Sequence, residues 1–166
     1  MAVFKLIAIG ILGLFAFAAG MAYYGYESAI YPIDKALGNL ARAESSQTPE
    51  ELAAYVYEAK RTLPPSGNPV WSFPTAKTDF GLIQQDLDMI LSRANSIASV
   101  EPHSSAYSTG MADMHLSLQS IQGNIVEAMP YMYVSTTNVA VSVVWIATII
   151  GLFAVMRRGR SKYQEY

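Results

Sequence analysis

Apolar residues are distributed along this chain in two ways. Near both ends they run without interruption, and between those runs they recur at the three- and four-residue spacing of a helix face. Leu6 to Tyr24 is a stretch of 19 residues without a charge, and at about 1.5 Å per residue a helix of that length spans roughly the 30 Å hydrocarbon core of a bilayer. Nothing from Ala128 to Met156 is charged either. Its most apolar part, Val139 to Met156, ends at the basic cluster Arg157-Arg158-Gly159-Arg160. These two runs predict transmembrane helices.

Four amphipathic stripes lie between them. Ile30, Ile33, Leu37 and Leu40 continue the first span beyond a kink expected at Pro32. Thr48-Pro49-Glu50-Glu51 has the form of a capping box with proline at the first helical position, and Leu52, Val56, Ala59 and Leu63 follow as a stripe. Thr78 or Asp79 opens a third helix, with Phe80, Ile83, Leu87, Ile90, Ala94 and Ile97 on one face. A fourth begins near Ser105, carries Met111, Met114, Leu118, Ile121, Ile125 and Met129, and is expected to pass through Pro130 into the second span. Each stripe is one helix face wide, so the four helices must bury their stripes against one another.

The predicted fold class is therefore all-α: two transmembrane helices continuous with an extracytoplasmic four-helix bundle running up, down, up and down. The expected boundaries are a first span within 1–24, a bundle over 25–133, a second span over 134–156 and a basic tail over 157–166. No alternation long enough for a useful strand occurs. One connection stands apart: residues 62–78 hold Pro64, Pro65, Pro69 and Pro74 with Gly67 and two large aromatics, Trp71 and Phe73. Proline restricts the unbound backbone, so this loop can present its aromatics as rigid anchors to a partner. The reading favoured over partner contact is that both rings fold back and cap the bundle.

Composition supports the membrane reading. The chain of 166 residues is 52% hydrophobic and only 14% charged, against roughly 25% charged in soluble domains. It has no cysteine, which removes disulfide scaffolds, thiolate nucleophiles, Cys-ligated zinc and iron–sulfur clusters. The formal charge of −2 hides a partition. Tyr24 to Tyr133 holds 12 acidic and 6 basic residues, a net of −6, whereas the last ten residues hold Arg157, Arg158, Arg160 and Lys162 against Glu165. By the positive-inside rule both termini are expected in the cytoplasm and residues 25–133 outside, in a two-pass protein of the cell membrane. An acidic middle also argues against nucleic acid as a partner, since a phosphate backbone calls for a Lys/Arg surface.

Tyr23, Tyr24, Tyr26 and Tyr31 follow the first span, and Tyr131 and Tyr133 precede the second, where an interfacial aromatic belt would sit. Lys5 and the pattern Ala16-Phe17-Ala18 also fit a cleaved leader, but the expectation here is a retained span. Gly13, Ala16 and Gly20 share one face of the first span, and Ala140, Ala147, Gly151 and Ala154 share one face of the second. Such small residues allow close helix packing, either of the two spans on each other or on a partner's helices. Trp145 falls in mid-span, where its indole N–H needs an acceptor, intramolecular or from a neighbouring subunit.

Candidate chemistry is sparse. There are two histidines, His103 and His115, and no HExxH, EF-hand, Walker or GxSxG pattern. No serine is singled out by a spaced base and acid, so no enzyme is read from the residues. Met111, Met114 and His115 cluster within five positions, with His103 in the preceding loop. Thioether and imidazole together suit copper. Yet Met111 and Met114 already fit the apolar stripe, so a structural role is favoured and no metal or cofactor is expected on this chain. Asp86 and Asp88, two positions apart, point to different faces and are read as solvated.

The blocks GNPVWSFPTAKTDFGLIQQDLDMILSRA and SSAYSTGMADMHLSLQSIQGNIVEAMPYMYVS resemble a small two-span membrane protein of ammonia-oxidising archaea, over roughly residues 45–138 and most specifically at the Pro/Trp/Phe loop. The resemblance implies a non-catalytic accessory subunit of the archaeal copper membrane monooxygenase that oxidises ammonia, with copper held by its larger partner subunits. Two rival classes remain. A sensor would also place a four-helix bundle between two spans, but only ten residues follow Met156, so it would require a separate output protein. A copper-delivery protein would depend on the Met/His cluster.

Overall fold

The computed structural model describes residues 2–162, and the side chains of 9–135, 137–154 and 157. All regular structure among the described residues is helical. Met1 and the end of the basic tail, residues 163–166, lie outside the described part. The chain divides into two units at Tyr133/Val134.

In the first unit, α1 (Ala2–Gly25) passes through a five-residue π-helical segment (Tyr26–Ile30) into α2 (Tyr31–Ser45). The expected kink at Pro32 takes this form for a definite reason. Proline has no N–H to donate and its ring crowds the carbonyl four residues back, so a regular α-turn is not available there. The backbone widens instead, and the Tyr31 N–H donates to the Tyr26 carbonyl, a five-residue step. Helical dihedrals persist at Gly25, Ile30 and Tyr31, so the rod is unbroken.

Three further helices complete the unit: α3 (Pro49–Thr62), α4 (Phe80–Ile97) and α5 (Ser105–Tyr133). Each start has a chemical cause. The Thr48 hydroxyl accepts the Glu51 N–H at 3.3 Å, with Pro49 set at a position that needs no donor. Asp79 Oδ1 accepts the N–H groups of Gly81 (2.7 Å) and Leu82 (3.3 Å). Ser104 Oγ accepts the Tyr107 N–H at 3.1 Å, and the Ser104 carbonyl accepts that of Ser108.

The four stripes meet in one core. Ile33, Leu40, Leu52, Val56, Leu87, Met114, Leu118 and Ile125 are fully buried, and Leu37, Ile97 and Met129 pack against that core from its margin. Contacts run α2 to α3, α3 to α4, α4 to α5 and α5 back to α2, closing a ring of four. Neighbours run in opposite directions. Gln84, near the start of α4, donates to the carbonyls of Lys60 and Pro64 at the end of α3, and Lys60 pairs with Asp88 at 2.7 Å. Across α4 and α5, Arg93 bonds Asp113, whereas Asp86 shares a hollow with Ser120 and Ile121. Between α2 and α5, Glu44 meets Gln119 and Gln122.

The second unit is α6 (Thr136–Lys162), 27 residues long. The expected passage of the fourth bundle helix straight into the second span does not occur: the helix is interrupted at Val134 and Ser135. Ser135 then starts α6 afresh. Its Oγ accepts the Asn138 N–H at 3.2 Å and its carbonyl accepts that of Val139.

Candidate functional site

Two features of the four-helix unit offer surfaces for function, and they lie at opposite ends of it. α2 starts where α1 leaves and ends at the short turn into α3, so the turn at 46–48 and the 98–104 connection form the end remote from α1. The 63–79 connection returns to the end where α1 enters.

At the remote end is a cleft of about 720 Å³, lined among others by Gln47, His103, Tyr107, Met111 and His115. Tyr107 reaches across with its hydroxyl directed at the Gln47 carbonyl, at 3.4 Å. His103 adopts a φ of 72°, in the left-handed region that a non-glycine residue rarely occupies. His115 is half-buried, and its Nε2 is shielded from solvent without a hydrogen-bond partner. The four residues singled out for metal binding therefore separate. His103, Met111 and His115 line the cleft, whereas Met114 has no exposed surface and belongs to the core. Among the described residues no group of three His, Asp or Glu assembles into a site able to hold a metal ion.

One carboxylate beside this region is electrostatically set. Glu44 Oε1 accepts the Gln119 amide at 2.6 Å and Oε2 accepts that of Gln122 at 3.1 Å. These two bonds, the Gln119 bond foremost, hold its carboxyl below the usual glutamate range. His115 adds a smaller push in the same direction, and desolvation opposes it.

At the α1 end, the proline-rich connection is an ordered structure with its own hydrogen bonds. Asn68 organises it. Its Nδ2 donates to the Thr75 carbonyl at 2.7 Å, and its Oδ1 accepts the Val70 N–H and the Thr78 hydroxyl, each at 3.0 Å. Gly67, at a φ of 99°, turns the chain through a conformation that side chains disfavour, and its carbonyl accepts the Phe80 N–H at 2.9 Å. Val70, 6% exposed, points inward. Phe73, 85% exposed, does not fold back over the bundle as the capping reading expected, whereas Trp71, 54% exposed, is covered over nearly half its surface. The signal for this arrangement was present in the Asn68-Pro69 dipeptide, whose asparagine side chain commonly bonds the backbone two residues on. Gln84 and Glu44 carried no comparable local signal.

The remaining candidates lie on the apolar helices. Gly13, Ala16 and Gly20 on α1 are exposed, as are Ala147 and Gly151 on α6. A methyl group placed on Gly13, Gly20 or Gly151 would meet nothing within 4 Å. Trp145 is partly buried, and its Nε1 has no acceptor among the described residues.

Taken together, these features define an all-α protein in which four helices share one core and two stretches, Ile9–Ser45 and Ser105–Ala154, contain helix long and apolar enough to cross a membrane. Compared with models of known families, with curated proteins and with solved structures, the chain finds no match in any of the three.

Proposed function

We propose that this chain is a non-catalytic accessory subunit of a membrane-bound complex, held in the cell membrane by α1 and α6 with both ends inside and the four-helix bundle outside. One observation carries the reading. No side chain from Ile9 to Ala29 is buried, although most are apolar, and burial begins at Ile30, where the same helical rod enters the core. A helix exposing Ile9, Leu12, Phe15 and Phe17 calls for lipid or protein around it. Because the rod is continuous, whatever surrounds α1 also fixes the position of the bundle. Close approach at Gly13, Ala16 and Gly20, and at Ala147 and Gly151 near Trp145, gives a partner's helices two faces on which to pack.

The complex we propose is the copper monooxygenase that oxidises ammonia in archaea, on the resemblance of residues 45–138, with copper residing in the larger subunits. Gentle detergent extraction, native electrophoresis and mass spectrometry test this. Co-migration with monooxygenase subunits is the expected result, and a chain that migrates alone sinks the assignment. A second reading, copper delivery or ligand sensing, is favoured by the cleft that gathers His103, Met111 and His115. The two diverge for His115→Ala: an accessory role leaves the copper content of the complex unchanged, whereas loss of one copper per chain favours delivery.

A further inference from the structure

We propose that the 67–75 segment is an interfacial membrane anchor, with Trp71 and Phe73 seated at the headgroup and acyl-chain boundary of the leaflet from which α1 emerges. This rests on the reading of α1 as a membrane span. Four observations lead to it.

The first is position. α3 descends from the 46–48 turn toward the level at which α2 began, so the connection that follows it lies at the α1 end of the bundle. The π segment and the short 3-10 turn Ala76–Thr78 both pack on α5, one leading from α1 and the other closing the loop. The second is presentation. The Asn68 hydrogen bonds and the inward Val70 hold the backbone, so the exposed Phe73 ring and the half-exposed Trp71 ring are presented without ordering of the loop on arrival. The third is asymmetry between the two ends. Exposed Tyr26, Tyr31, Trp71, Phe73 and Tyr133 come from three separate elements at the α1 end. Among the described residues, no exposed large apolar or aromatic side chain falls within 43–52 or 94–112, at the remote end. Aromatics of this kind favour the membrane–water boundary, where an apolar ring and a polar edge are both accommodated.

The fourth is charge and backbone chemistry. Residues 62–78 contain Lys77 and no carboxylate, within a region whose net charge is −6. A carboxylate here would resist entry into the boundary, whereas a lysine can extend its ammonium toward phosphate. Pro64, Pro65, Pro69 and Pro74 also lack N–H groups that would otherwise need partners where water is scarce. A protein partner would meet the same two rings, but it would not call for aromatics from the α1–α2 rod, the loop and the end of α5 at a single end. A planar boundary does.

Depth-dependent fluorescence quenching tests this on the full chain, alone, in phosphatidylcholine vesicles at high lipid excess. Trp145→Phe leaves Trp71 as the sole tryptophan. A control chain carries Trp71→Phe and Trp145→Phe with Phe15→Trp in the middle of α1. Bromines near the headgroup should quench Trp71 more than bromines near the chain ends, and the order should reverse for the α1 probe. A quenched α1 probe beside a Trp71 that only aqueous acrylamide quenches overturns the anchor and leaves the span intact. An unquenched α1 probe overturns the span, and the anchor falls with it. Protection of Trp71 that fades as lipid is added reports contact between copies, and protection gained only with partner subunits reports a protein interface. Either result overturns the proposal. Because the chain has no cysteine, Phe73→Cys carrying a nitroxide gives the same reading with both tryptophans kept, should Trp145→Phe disturb folding.

Discussion

Glu44 illustrates how a single partly exposed side chain can report on helix pairing. Its two oxygens accept amides from Gln119 and Gln122, so α2 and α5 are joined by bonds that favour the ionised carboxylate. The folded-state pKa lies below that of the unfolded chain. The stabilisation is therefore complete above the unfolded value and is lost as pH falls through the folded one. Replacing the carboxylate in Glu44→Gln removes that dependence at this site. The gap in thermal midpoint between wild type and Glu44→Gln is expected to be largest near neutrality and to close as pH falls below the ordinary glutamate range. A gap that is constant with pH would show that the glutamine bonds do not depend on charge. The group is partly open to solvent, so the effect should be small and weakened by salt.

Within the proline-rich connection, Asn68 holds the element and Phe73 is displayed by it. Asn68 makes three of its internal hydrogen bonds, whereas Phe73 is largely exposed and Trp71 about half so. At about 1 kcal/mol net per hydrogen bond, Asn68→Ala should cost about 1–3 kcal/mol. That is a fall of several degrees in midpoint for a domain of about 100 residues. The double change Trp71→Ala with Phe73→Ala, measured in the same detergent, should shift the midpoint by less than about 3 °C, because exposed positions contribute little to folding. Equal melting of the two variants would mean that the rings support the core after all.

For the whole molecule, the charge partition and the two apolar helices predict a sidedness. Protease added to right-side-out vesicles should cut within 25–133 and spare the basic tail at 157–166. Cleavage confined to the tail would reverse the topology. The cleft with His103 and His115 lies at the end of the bundle remote from α1. In the proposed topology it opens to the outside and faces away from the bilayer that the loop is inferred to enter.

Helix identity, the four buried stripes and the cap at Thr48 were legible in the order of residues, and the start of α4 was narrowed to Thr78 or Asp79, because hydrophobic periodicity and capping chemistry act over a few positions. The helix break at Val134 and Ser135 was hidden inside an uncharged run: apolar content predicts insertion but not where the backbone ladder stops. The sequence also left open whether Trp71 and Phe73 turn inward or outward. That was decided by Val70, Asn68 and Gly67, whose hydrogen bonds and φ exist only once the loop has closed on α4. Glu44 and Gln119 are 75 residues apart, and the cleft forms only where two connections meet α5. Such contacts depend on which helices become neighbours, so packing alone could assign them.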